Sequence, residues 1–227
     1  MLKTSFTYIL FYLCCFVVIC VAFFCDSSVL AFVKPIIPLS IIAIYCNYSR
    51  DVNFWIPISM CIMLVTDVLA YINFVKYYMP VSIGLILFYI INIFLLKDFI
   101  TIKDIKSGVS KSPPVIISIV LIGYLIFFIV DVVLPKMVFS IGLFVLVLVS
   151  LFLFVVISFF IYAADRYEKT VYLFIVAYCV LFANAVFIIN ELYYYDKLFI
   201  VLINVSDALG YYLFAGFFIE TKLKRLS

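Results

Sequence analysis

Met63 to Asn73 reads MLVTDVLAYIN, inside an apolar run from about Asn53 to Phe74. One carboxylate, Asp67, stands there with apolar residues on both sides. A charge at membrane depth costs a few kcal/mol or more, so such a group faces a polar cavity, finds a partner or is held protonated. An intramembrane acid is therefore a functional-site candidate by default. The plainer alternative is an Asp hydrogen-bonded to a neighbouring helix.

Composition sets that stretch in a membrane. Of 227 residues, 70% are hydrophobic and only 12% charged, against about half and a quarter in ordinary soluble domains. The apolar runs are too long and unbroken for a β-barrel, whose strands alternate over about ten residues. The expected class is an all-α polytopic membrane protein forming a single transmembrane domain.

The chain contains no His, which removes the commonest general base and His-ligated zinc. Its seven Cys lie in or beside apolar runs without a CxxC pair, and read as small buried hydrophobes. No metal and no cofactor are expected. A net charge of +3 gives no reason to expect nucleic acid as a partner. The final spans hold no intramembrane Lys for a Schiff base, which excludes a retinal photoreceptor.

About 20 apolar residues cross a bilayer, and eight spans meet that test: Ser5–Phe24, Ser28–Cys46, Asn53–Phe74, Met79–Leu96, Val115–Val133, Val138–Tyr162, Thr170–Asn190 and Leu198–Ile219. The first is expected to be a retained helix, since no small-residue cleavage site follows it. The polar segment Lys97 to Pro114 divides the chain into two possible four-helix halves, about 1–96 and 115–227. Eleven basic residues (Lys3, Arg50, Lys97, Lys103, Lys106, Lys111, Arg166, Lys169, Lys222, Lys224, Arg225) fall on one side of this arrangement. Only Lys76, Lys136 and Lys197 fall on the other. The bias places both termini in the cytoplasm.

On this topology Lys34, Asp67, Asn184 and Asn204 each lie six or seven residues from the outer ends of their spans. At 1.5 Å per residue, that is about 10 Å below one boundary. Asp207 and Tyr211 lie about one and two turns deeper on the last span. A shared polar pocket is expected. Lys34 has an alternative, snorkelling to the near interface, and each Asn has one as an ordinary interhelical hydrogen bond. A short echo links spans three and seven: Asp67 is followed six residues on by Asn73, and Asn184 by Asn190.

Three stretches carry a resemblance to a known family. Lys34-Pro35 lies near the start of the second span. Thr66-Asp67 lies in LVTDVLA, and Ala183-Asn184 in VLFANAVFIINEL, with LINVSDALGYYLF closing the chain. They resemble the lysoplasmalogenase (YhhN) family, which has Lys-Pro, Gly-Asp and Ser-Asp at these places. The resemblance implies an eight-helix fold in a bacterial inner membrane and hydrolysis of the vinyl-ether bond of a lysophospholipid, giving a fatty aldehyde. It implies Asp67, Asn184 and Asp207 as the catalytic positions and Lys34, Asn204 and Tyr211 as substrate contacts, with Lys34 holding the lipid phosphate. Asn184 replaces the family's second acid, and an amide cannot transfer a proton. The activity is therefore expected to be weak or lost, unless Asp207 supplies the second carboxyl. A non-catalytic lipid- or partner-binding protein of the same fold is the alternative, and a proton-coupled transporter using Asp67 and Asp207 a third.

Overall fold

A computed structural model describes residues 2–49, 51–100 and 141–221, with Val120, Gly123, Tyr124, Phe127, Val130 and Asp131. Most of these residues are helical, in α1 (Leu2–Phe24), α2 (Ser27–Val33), α3 (Ile36–Tyr48), α4 (Trp55–Asn73), α5 (Tyr78–Leu96), α6 (Ile141–Ala164), α7 (Thr170–Leu192) and α8 (Lys197–Glu220), plus a 3-10 turn at Lys97–Phe99, and no strand is found among the described residues. Taking α2 and α3 as one span, the described residues hold seven helices long and apolar enough to cross a membrane. Most of the span expected at Val115–Val133, and the polar segment after Ile100, lie outside the described residues.

The second span is not the uninterrupted helix expected from its hydropathy. It divides at Lys34-Pro35 because proline has no N–H to give. Pro35 leaves the Ala31 carbonyl without its helical donor, and Pro38 does the same to the Lys34 carbonyl. The Lys34 carbonyl instead accepts from Ile37 at 3.1 Å, one residue short of the α-helical register. Lys34 itself keeps helical angles, φ −53° and ψ −37°, so the span kinks without unwinding.

Helices α3, α4, α5, α6, α7 and α8 pack each against the next, and α8 returns to α3. They enclose a ring. Helix α2 leans on α4, and α1 lies along α3 and α8 with most of its surface exposed. Large apolar side chains such as Phe16, Phe32, Leu153 and Tyr178 cover the outside, as expected where lipid is the solvent. Inside, several buried Ser and Thr hydroxyls are satisfied by their own helices. Ser59 donates to the Ile56 carbonyl, Thr66 to Ile62 and Ser158 to Phe154, each at 2.8 Å. Asn92 on α5 is fully buried, and neither its Oδ1 nor its Nδ2 has a partner among the described residues.

The two ends of the ring are marked by contacts between helix termini. At one end Phe144, Tyr78 and Leu192 share an apolar cluster, and Phe187 packs on Phe74 at 5.2 Å. At the other, Phe99 packs on Phe217 at 4.9 Å and on Tyr167 at 5.2 Å. Helices α5 and α6 therefore run in the same direction, with Ile100 and Ile141 at opposite ends.

Loop chemistry fixes the reversals. Asn73 Oδ1 accepts the Lys76 N–H at 2.8 Å, and Asn190 Oδ1 accepts the Asp196 N–H at 2.9 Å. The two asparagines of the sequence echo thus do the same work at the ends of α4 and α7. Asp196 caps α8 by accepting from Leu198 at 2.8 Å. The α6–α7 turn uses positive φ at Asp165 and Lys169, 44° and 65°, a conformation Asp tolerates better than most.

Candidate functional site

Three charged groups meet inside the ring. The kink places Lys34 with its side chain turned in towards α4 and α8, and only 2% of the residue is exposed. Its Nζ lies 2.7 Å from Asp207 Oδ2 on α8 and 3.2 Å from Asp67 Oδ1 on α4. The ammonium also sits 4.8 Å from the centre of the Tyr71 ring, one turn along α4 from Asp67. Snorkelling is therefore excluded: the Lys34 head points at carboxylates and an aromatic face. A buried cation with two anions is costly to assemble and more costly to break, since any member left alone is an uncompensated charge.

A cavity of about 50 Å³ opens beside this cluster, lined by Lys34, Asp67, Asp207 and Asn184 together with Tyr71, Thr66 and apolar residues of α4, α5, α7 and α8. It has room for a few waters and polar groups to hold them. Asp67 is 6% exposed, and its Oδ2 has no hydrogen-bond partner among the described residues. One oxygen of that carboxyl is thus engaged by Lys34 and the other is uncommitted.

The amides form a second layer. Asn184 donates from Nδ2 to the Tyr89 hydroxyl at 2.9 Å and to the Val180 carbonyl at 2.8 Å. Asn204 donates to the Tyr71 hydroxyl at 3.2 Å and to the Ile200 carbonyl at 2.7 Å. The Asn204–Tyr71 contact locks α8 to α4 one turn from the ion cluster. Asn204 and Tyr211 are buried but are not among the residues lining the cavity. The Tyr211 hydroxyl lacks a partner among the described residues, and its ring meets Phe88 edge-on at 6.3 Å.

The structure therefore brings Lys34, Asp67, Asn184 and Asp207 to one cavity and leaves Asn204 and Tyr211 behind its wall. Two participants escape the sequence reading, Tyr71 and Tyr89. Tyr71 carries a signal, because residues four apart share a helix face and it follows Asp67 by four. Tyr89 carries none: it is one of 18 tyrosines and is placed only by α5 packing near α7. Among the described residues, no cluster of three or more Cys, Asp or Glu could hold a metal ion. The chain matches no family model, no curated protein and no solved structure.

Proposed function

We propose that the protein is a membrane hydrolase acting on the vinyl-ether bond of single-chain ether lipids, with Asp67 and Asp207 as its carboxyl pair. The supporting observation is the double hold of Lys34, which keeps both carboxylates on the wall of one cavity. This pairing supplies a second acid where Asn184 has none to give.

The chemistry needs a proton delivered to the alkene carbon and a water added to the resulting oxocarbenium ion. Asp67 takes up a proton on the oxygen that is free of partners among the described residues when the substrate binds, and is then the proton donor. Asp207, held at 2.7 Å by Lys34, is the base that takes a proton from the attacking water. The hemiacetal so formed loses its hydroxyl proton, breaks its bond to the glycerol oxygen and returns a proton to that oxygen. The products are a fatty aldehyde and a glycerophospho-headgroup compound. Asn184 orients the reacting group from across the cavity through its amide.

The same reading includes an eighth crossing at Val115–Val133 and both termini on the cytoplasmic side. Its support is that Ile100 and Ile141 stand at opposite ends of the ring, and that this stretch is the apolar run between them.

The test is aldehyde release by the purified protein from lysoplasmenyl-choline and -ethanolamine. Asp67→Asn and Asp207→Asn should each lower turnover on the order of a hundred- to ten-thousand-fold. Turnover that survives both substitutions removes the carboxyl pair from the chemistry. A second reading, proton-coupled transport, draws on the two carboxyls that Lys34 holds, Asp67 and Asp207, since ionisable groups at membrane depth form proton relays. Proton flux into liposomes without aldehyde release would favour it.

A further inference from the structure

A second set of buried polar side chains lies deeper in the ring than the ion cavity. Val81 and Leu85 of α5 line that cavity, and Asn92 follows Leu85 by seven residues. Steps of four and then seven keep all three on one helix face. Seven residues also carry Asn92 about 10 Å further, towards the end where Phe99 meets Phe217. Asn92 is fully buried there, its amide unpartnered at both ends among the described residues. Two serines share its level. Helices α4 and α5 are antiparallel, with Thr66 against Gly84 and Trp55 against Phe94. Eight residues on from Gly84 and seven back from Thr66, Asn92 and Ser59 stand within about 2 Å of one height. On the other flank the Tyr89 ring meets Phe154 at 5.9 Å. Asn92 comes one turn after Tyr89, and Ser158 one turn after Phe154. Both serines are fully buried, and each gives its hydroxyl hydrogen to a carbonyl of its own helix at 2.8 Å. Their oxygens keep lone pairs with which to accept.

We propose that Asn92, Ser59 and Ser158 bind internal water, as a second hydrated site apart from the ion cavity. The side chains present select that ligand. An amide has hydrogens to give and an oxygen that accepts, whereas the two serine oxygens, their hydrogens committed, can only accept. Water matches both: it gives to a serine oxygen or to Oδ1 and takes from Nδ2. An anion would find one donor group, the amide, and two lone-pair-bearing oxygens. A cation would find no negative charge among these three side chains, and a buried charge without a partner is far costlier than a buried water. A buried amide left dry is also rare in folded proteins. Phe88 separates the two sites. It lies between Leu85 and Asn92 on α5, and its ring meets Tyr211 edge-on at 6.3 Å. The Tyr211 hydroxyl, one turn along α8 from Asp207, is itself buried without a partner among the described residues. The Phe88–Tyr211 pair thus stands as the partition between water at the carboxyls and water at Asn92. The inference is independent of the hydrolase reading, since it holds whether or not aldehyde is released.

The experiment is X-ray radiolytic footprinting of the full chain in lipid nanodiscs, read by peptide mass spectrometry. A short pulse splits bound water into hydroxyl radicals, which oxidise the side chains next to that water. Leu96 is the reporter, because it is fully buried and lies one turn beyond Asn92, on the side away from the ion cavity. Leu173 on α7, equally buried, is the comparison of the same side-chain type. Leu96 should be oxidised well above Leu173 in the unsubstituted protein. Asn92→Leu should remove that excess, and Asn92→Ser, which keeps a polar group that can hold water, should retain it. Equal oxidation of Leu96 and Leu173 in the unsubstituted protein overturns the proposal, and that comparison needs no variant to fold. A folded Asn92→Leu protein that keeps the Leu96 excess also overturns it, because the water would then be held by something other than Asn92.

Discussion

Replacing Lys34 by Met tests whether the ion cluster holds the ring together. The Lys34 side chain is 3% exposed, and those of Asp67 and Asp207 are 8% and 13% exposed. At an effective dielectric near 20, contacts of 2.7 and 3.2 Å are worth about 6 and about 5 kcal/mol before desolvation. Desolvation and carboxylate repulsion offset much of that sum. Removing one partner of a buried pair costs about 3–5 kcal/mol in practice, because the remaining charge is stranded. Lys34→Met strands two carboxylates, so its loss should reach the upper part of that range, about a thousandfold in the folded-to-unfolded ratio. Asp207→Asn and Asp67→Asn each leave Lys34 one carboxylate and should cost less, with Asp207→Asn the worse because its contact is shorter. Restoring charge balance is the decisive arm. The triple variant Lys34→Met, Asp67→Asn, Asp207→Asn should be more stable than Lys34→Met alone, a non-additivity expected only of groups that interact. The assay is unfolding in mixed micelles against a rising mole fraction of SDS. A Lys34→Met protein no weaker than Asp67→Asn, or a triple variant as weak as Lys34→Met, would refute the cluster as drawn.

Other consequences are equally direct. Gly84→Ala forces a Cβ against Thr66 and should cost about 1–3 kcal/mol; adding Thr66→Ala should recover most of it in the same unfolding assay. Asn73→Ala and Asn190→Ala each remove an acceptor from a reversing backbone and should each lower stability by about 1 kcal/mol, read as the shift in unfolding midpoint. Reporter fusions at Ser227 and within Lys97 to Pro114 should both score cytoplasmic, and one after Tyr195 should score on the opposite side. Any other pattern removes the eighth crossing.

The sequence by itself determined where helices run and how deep their polar residues lie. Apolar runs of the right length marked the seven spans now described, and proline chemistry made Lys34-Pro35 a natural weak point, although hydropathy alone read straight through it. Depth follows from counting residues at 1.5 Å each, so Lys34, Asp67 and Asn184 were legible as neighbours in height. Their direction was not. One residue turns a helix by about 100°, and the sequence does not say which helices stand side by side. Tertiary packing alone decided that α8 closes the ring on α3, and so that the long Lys34 side chain reaches Asp207, a turn off the expected level, while also meeting Asp67. It alone gave Asn184 to Tyr89 and Asn204 to Tyr71. The physical reason is that burial charges are satisfied between helices, and which partner satisfies them depends on the azimuth and adjacency of whole helices, quantities spread over the chain and written in no single stretch of it.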